Sequence, residues 1–236
     1  MNQAFEKEHV VGALGALMLA VGCWLALFVV PPMVNFGDLG RPLFIHVPTA
    51  WASLLVFTVA FVIAIIALRK RTRGWDAALA SSVEVGVVLT ALLLFQGMFW
   101  ARPTQNFWWT WDPRLTLSAV MFVSFAGVLS LRSFAEGLHR RIMWTAVSTI
   151  IAYVNVPLVY FIVKITDRGI HQEHSTPQTV SDVYHLALRL NAFAMLFLAY
   201  WLIARRSRLI LAVQGGADAG PPAPQDGPEL VAGVEG

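Results

Sequence analysis

Long apolar runs alternate with short basic clusters along nearly the whole chain, and this alternation constrains the fold most. The runs cover Val10–Val30, Leu43–Leu68, Ala77–Trp100, Leu115–Leu131, Ile142–Val163 and Val183–Ala204. Each is long enough to cross a hydrocarbon core of about 30 Å, which takes roughly 20 helical residues. In lipid only helices and closed barrels satisfy their own backbone. Uninterrupted apolar runs, without period-2 alternation, select helices. The expected fold is therefore an all-α integral membrane protein of six transmembrane helices.

The composition agrees. The chain is 57% hydrophobic and 13% charged, whereas a soluble domain is about a quarter charged. A net charge of +3, with basic residues clustered between runs, argues for membrane orientation and against nucleic-acid binding. Cys23 is the sole cysteine, so no intramolecular disulfide and no Cys-x-x-Cys-His haem attachment is possible. There is no Gly-x-x-x-x-Gly-Lys-Ser/Thr motif, hence no ATP site of its own. The first run is too long for a signal-peptide core and reads as a retained anchor.

The six spans form one domain over residues 1–210. Residues 211–236, rich in Gly, Ala, Pro and Asp from Gly215, are expected to be a disordered tail. One side of the spans carries Lys7, Arg69, Lys70, Arg71, Arg73, Arg132, Arg140, Arg141, Arg205, Arg206 and Arg208, eleven of the seventeen Lys and Arg. The other carries Arg41, Arg102, Arg114, Lys164, Arg168 and Arg189. The positive-inside rule then puts both termini and the tail in the cytoplasm. The loops between spans 3 and 4 and between spans 5 and 6 face outward, to the periplasm of a bacterial inner membrane.

The first of those loops is the most unusual stretch. Four of the nine tryptophans, Trp100, Trp108, Trp109 and Trp111, fall in twelve residues bracketed by Arg102 and Arg114. One or two would read as an interfacial aromatic belt. Four, with flanking cations, suit a wide, flat ligand bearing acidic groups. Trp108 and Trp111 would share a face in a helical turn. Asp112-Pro113 also fits the start of the fourth helix, as N-cap and first residue.

The histidines sort by side. His9 and His139 fall on the cytoplasmic side, while His46, His171, His174 and His185 lie in or near the outer loops. Imidazole suits haem iron, and His46 with His171 could approach a porphyrin from opposite faces. His171 and His174, three apart, could instead hold zinc. Glu84 lies inside the third span, where a carboxylate could face a partner, line a polar path or bond Ser81 or Ser82. Arg189 follows His185 by one helical turn and shares its face.

Trp108–Thr116, Trp-Trp-Thr-Trp-Asp-Pro-Arg-Leu-Thr, resembles the signature of the tryptophan-rich WWD haem-handling family of cytochrome c assembly. His46 in Ile-His-Val-Pro-Thr-Ala-Trp, His171 before Gln172 and six spans fit its short members over about residues 5–210. The family more often has Trp-Gly where this chain has Trp100-Ala101, and often Ala in place of Pro113. The resemblance implies haem b, transiently held, with His46 and His171 at the iron. Trp100, Trp108, Trp109, Trp111, Asp112 and Arg114 would make its wall. Arg102, Arg114, Lys164, Arg168 and Arg189 are candidates for the propionates. The implied partners are a membrane-anchored haem chaperone, an ABC-type ATPase, a permease subunit and a small single-span subunit. The implied role is haem delivery rather than an enzymatic reaction. Rival readings are a cytochrome b-like electron-transfer subunit, a haem-free transporter, at whose broken helices and mid-membrane polar residues Glu84, Asn155 and Pro157 hint, and a structural subunit whose Trp loop only docks partners.

Overall fold

In the computed structural model, which describes residues 2–34, 36–165 and 182–218, the apolar runs are helices. They are α1 (Asn2–Trp24, continued by a π-helical turn at Leu25–Val29), α2 (Leu43–Lys70), α3 (Arg73–Gln105), α4 (Pro113–Ser133), α5 (Leu138–Ala152), α6 (Asn155–Ile165) and α7 (Asp182–Asp218). Among the described residues, six segments are long and apolar enough to cross a membrane, α5 and α6 together making one of them.

Local chemistry sets the boundaries. Arg71 ends α2 in the left-handed region at φ 50°, its N–H returning to Ala67 O, and the Thr72 hydroxyl caps α3 at Trp75. The fifth span was expected as one helix over 142–163, but it breaks after Ala152. Pro157 has no N–H for the carbonyl of Tyr153, which accepts from Val156 instead at 2.9 Å. Asn155 Nδ2 donates to Ala152 O at 3.1 Å and to the Ser124 hydroxyl at 3.3 Å. The break is thus satisfied internally, as a backbone in lipid requires. At the other end, α7 runs on to Asp218, through the first residues of the expected tail; 219–236 lie outside the described residues.

α1 lies along α7, and α2 pairs with α3. α3 is central: 56% of its apolar window is buried, against 22% for α1, α4 and α7. Lipid is as apolar as a side chain, so close approach of small residues must hold such helices together. Ala52, Ala60, Ala64 and Ala67 of α2 and Ala77 and Ala80 of α3 are buried accordingly. Gly86 shows the tolerance most sharply. A Cβ there would lie 2.4 Å from the ring of Phe57, which stacks on Phe125 at 3.6 Å.

At the end where α2 turns into α3, charge replaces apolar contact. Asp76 is fully buried and receives Arg132 at 2.7 and 2.9 Å, Arg141 at 3.1 Å and Gln214 at 3.1 Å. One carboxylate thereby joins α3, α4, α5 and α7. Nearby, Glu84 pairs with Arg206 and Glu8 with Arg208. The partner of Glu84 is therefore an arginine of α7, rather than Ser81 or Ser82, whose hydroxyls donate to Ala77 O and Ala78 O.

Candidate functional site

The opposite end of α3 carries the tryptophan segment, and the first turns of α2 lie beside it. Pro42 precedes α2, and the His46 N–H donates to its carbonyl at 3.0 Å. The His46 ring packs on α3, where a Cβ at Gly97 would meet its Cε1 at 3.3 Å. One turn further along α3, Trp100 donates its indole N–H to Leu39 O at 2.8 Å and meets Phe36 edge to face at 5.1 Å. Trp100 thus ties α3 to the segment that leads into α2. That places His46 within a helical turn of the start of the tryptophan segment.

α3 extends to Gln105, so Trp100 and Arg102 are helical rather than part of a loop. Asn106 stops the helix in the left-handed region, at φ 63°. Asn tolerates that conformation better than most residues. The Arg102 guanidinium folds back onto the side chain and backbone carbonyl of Asn106. From Phe107 to Trp111 the chain has no regular structure. Trp108 and Trp111 therefore do not share a helical face, as their spacing had implied. Trp108 meets Phe99 edge to face at 5.5 Å, and Trp109 pairs with Trp111 at 6.1 Å with planes 82° apart. The surface is a set of perpendicular rings rather than a flat shelf. Trp108 is 49% exposed and Trp111 80%, although both are large and apolar.

Asp112 restarts the helix. Its Oδ1 accepts the N–H groups of Arg114 at 3.0 Å and Leu115 at 3.1 Å, with Pro113 as the first helical residue. Proline also holds the preceding residue extended, and Asp112 has ψ 133°. Arg114 reaches α6, its Nε donating to Val159 O at 3.4 Å. A guanidinium has more N–H groups than Arg102 or Arg114 uses here, so both keep donors for a carboxylate. Arg189 is exposed on α7, with His185 one turn before it and half-buried. His171, His174 and Arg168 lie outside the described residues, so the His46–His171 pairing has no geometry here.

Two polar residues central to this end were missed by inspection of the sequence. Arg41 donates to Ala26 O at 2.7 Å and Val30 O at 2.8 Å, closing the π-helical end of α1. Asn191 of α7, fully buried, donates from Nδ2 to Phe44 O at 2.9 Å. A signal for Asn191 existed, since an amide in an apolar span demands a partner. Tyr184 completes the link between α7 and this end. Its ring stacks on Phe44 at 5.7 Å and its hydroxyl donates to Pro31 O at 2.9 Å.

Comparison with known proteins gives the arrangement a family. The chain is 28% identical over 205 residues to the Heme exporter protein C of Rhodobacter capsulatus, covering 84% of this chain and 85% of that one. It is 29% identical over 199 residues to the Heme exporter protein C of Escherichia coli K12, covering 83% and 80%. It is 24% identical over 186 residues to a putative cytochrome c biosynthesis ccmC-like mitochondrial protein of Marchantia polymorpha, covering 79% and 78%. The sequence model of the Heme exporter protein C family matches residues 3–216, and the chain belongs to that family.

Proposed function

We propose that this chain is the membrane subunit of an ABC-type haem export complex. It would hold haem b at the periplasmic face and deliver it to a membrane-anchored chaperone for c-type cytochrome biogenesis. Membership of the Heme exporter protein C family supports haem export. The observation that carries the site is the exposure of Trp108 and Trp111 outside the helices, at the end of the bundle that holds His46. Rigid aromatic rings flanked by arginines would suit a flat ligand with acidic groups.

Trp108, Trp109 and Trp111 would cover the apolar face of the cargo, aromatic contact adding ~0.5–1.5 kcal/mol per pair beyond area burial. His46 and His171 would ligate or flank the iron from opposite sides. Arg102, Arg114, Lys164, Arg168 and Arg189 would receive the propionates, for which the guanidinium fork is well matched. Asp112 shapes the segment as a helix cap, and Trp100 anchors it. Delivery requires one histidine to yield its place to a group on the chaperone. An ATPase, a permease subunit and a small single-span subunit would complete the assembly.

The broken fifth span is a feature that solute carriers share. Here its freed backbone groups are bonded internally, and the adjoining groove of about 380 Å³ is lined by residues such as Trp51, Leu54 and Phe161. The break therefore favours haem-free solute transport no further.

Expression with haem, followed by a Soret spectrum of the purified protein, tests the proposal. The His46→Ala, His171→Ala double variant should lose most of its haem, and full retention would sink the axial role. Trp108→Ala with Trp111→Ala should lower both haem content and chaperone loading. No change in either would reduce the segment to an interfacial belt.

A further inference from the structure

A helical carbonyl normally accepts from the N–H four residues on. For Phe44 that residue is Pro48, which has none. Phe44 is buried in the protein, and a carbonyl shut off from water is costly when unmet. The first turn of α2 is therefore short of one hydrogen bond, two residues before His46.

We propose that Asn191 is the positioning residue for His46: from α7 it supplies Phe44 O with the donor that Pro48 lacks. The bond is 2.9 Å long, and Asn191 is fully buried. The acceptor fixes the orientation of the amide, since Oδ1 turned toward Phe44 O would set acceptor against acceptor. Gly22 of α1 makes the room. A Cβ there would lie 2.1 Å from Asn191 Oδ1, so a larger residue would push the amide off its carbonyl. α1, α2 and α7 thus meet at one point, beneath the turn that presents His46. Around that point Ala26, Val30, Phe44 and Ala187 form a buried cluster. The neighbouring carbonyls of the turn need no such help. Pro42 O accepts the N–H groups of Ile45 and His46, and the Thr49 hydroxyl adds a bond to Ile45 O at 2.8 Å. Phe44 O is the weak link, and Asn191 closes it. With the link open, the first turn of α2 would fray and His46 would lose its place on Gly97.

This role rests on the reading of His46 as an iron ligand, and the test separates the two. The full-length protein is expressed with haem as Asn191→Leu, Pro48→Ala, their double variant and His46→Ala. Haem per protein and the Soret and visible bands of the bound haem are measured for each. Asn191→Leu should lower haem content about tenfold, the scale of one unmet buried polar group, and shift the bands toward those of His46→Ala. Pro48→Ala returns a backbone N–H to Phe44 O, so the double variant should regain wild-type content and bands. A general packing defect at Asn191 would not be repaired by a change at Pro48. Wild-type haem and bands in Asn191→Leu, with loss in His46→Ala, overturn the positioning role alone. So does failure of the double variant to recover haem. Should Asn191→Leu not accumulate in membranes, the double variant decides: it must accumulate and hold haem. Unchanged haem in His46→Ala overturns the functional reading, and this role with it.

Discussion

The two ends of the helix bundle use arginine differently. Where α2 turns into α3, arginines meet carboxylates: Arg132 and Arg141 on Asp76, Arg206 on Glu84 and Arg208 on Glu8. At the tryptophan end they bond mainly to carbonyls. Arg41 takes Ala26 O and Val30 O, Arg102 takes Asn106, and Arg114 takes Val159 O. There the exposed Asp38 pairs with Arg41, and the oxygen of Asp112 beside Arg114 is engaged in capping α4. A carboxylate neutralises a guanidinium, whereas a carbonyl orients it and leaves its charge in place. The first end is cross-linked by ion pairs between helices. The second is shaped by side-chain bonds to its backbone, with Arg102 and Arg114 bracketing the exposed indoles of Trp108 and Trp111.

Asp76→Asn gives the largest effect that this comparison implies. The substitution removes the negative charge of a fully buried carboxylate and leaves Arg132 and Arg141 facing a neutral amide. Breaking a buried pair from one side costs about 3–5 kcal/mol. We expect a lowered unfolding temperature in detergent, with haem per folded molecule unchanged. A fall in haem among molecules that remain folded would show that the two ends are coupled.

Trp100→Phe probes the tryptophan end and should have a smaller effect. The variant keeps an aromatic ring for Phe36 but loses the indole N–H that reaches Leu39 O at 2.8 Å. One such bond is worth about 1 kcal/mol net. If Trp100 is an anchor rather than part of the binding wall, stability should fall by that amount and haem content should hold. The reverse, haem lost with stability intact, would move Trp100 into the wall with Trp108 and Trp111.

These contrasts mark how far the sequence could be read. The spans were legible because a helix in lipid must be apolar along its whole length. Asp112-Pro113 was legible because its bonds are local, to Arg114 and Leu115. Local rules also misled at Trp108 and Trp111. Their helical spacing carried no weight once Asn106 had ended α3 and Asp112 had begun α4. The break in the fifth span was legible only as a hint, from Asn155 and Pro157, because the rest of the run is apolar. Partnerships across the chain left no local trace. Asn191 and Phe44 are 147 positions apart, and Glu84 and Arg206 are 122 apart. Pro48 announced a missing donor without indicating where the donor would come from.

Glu84→Gln should give the smallest effect and tests how burial sets the strength of the ion pairs at the first end. Like Asp76, Glu84 is a carboxylate of α3 held by an arginine fork, with Arg206 Nη2 donating to Oε1 at 3.1 Å. Unlike Asp76, the pair is partly open, its side chains 49% and 30% exposed for Arg206 and Glu84. An exposed pair is worth roughly 0–1 kcal/mol, because water screens it and ordering both side chains has an entropic cost. We expect Glu84→Gln to cost less than about 1 kcal/mol, and that cost to shrink further in high salt. Asp76→Asn should respond little to salt, since its partners are sheltered. A large, salt-insensitive loss in Glu84→Gln would mean that lipid or protein shields the pair from water. Unchanged stability with impaired haem delivery would instead give Glu84 a role toward a partner subunit. Burial, more than the presence of an ion pair, would then separate the structural carboxylate of α3 from its more accessible one.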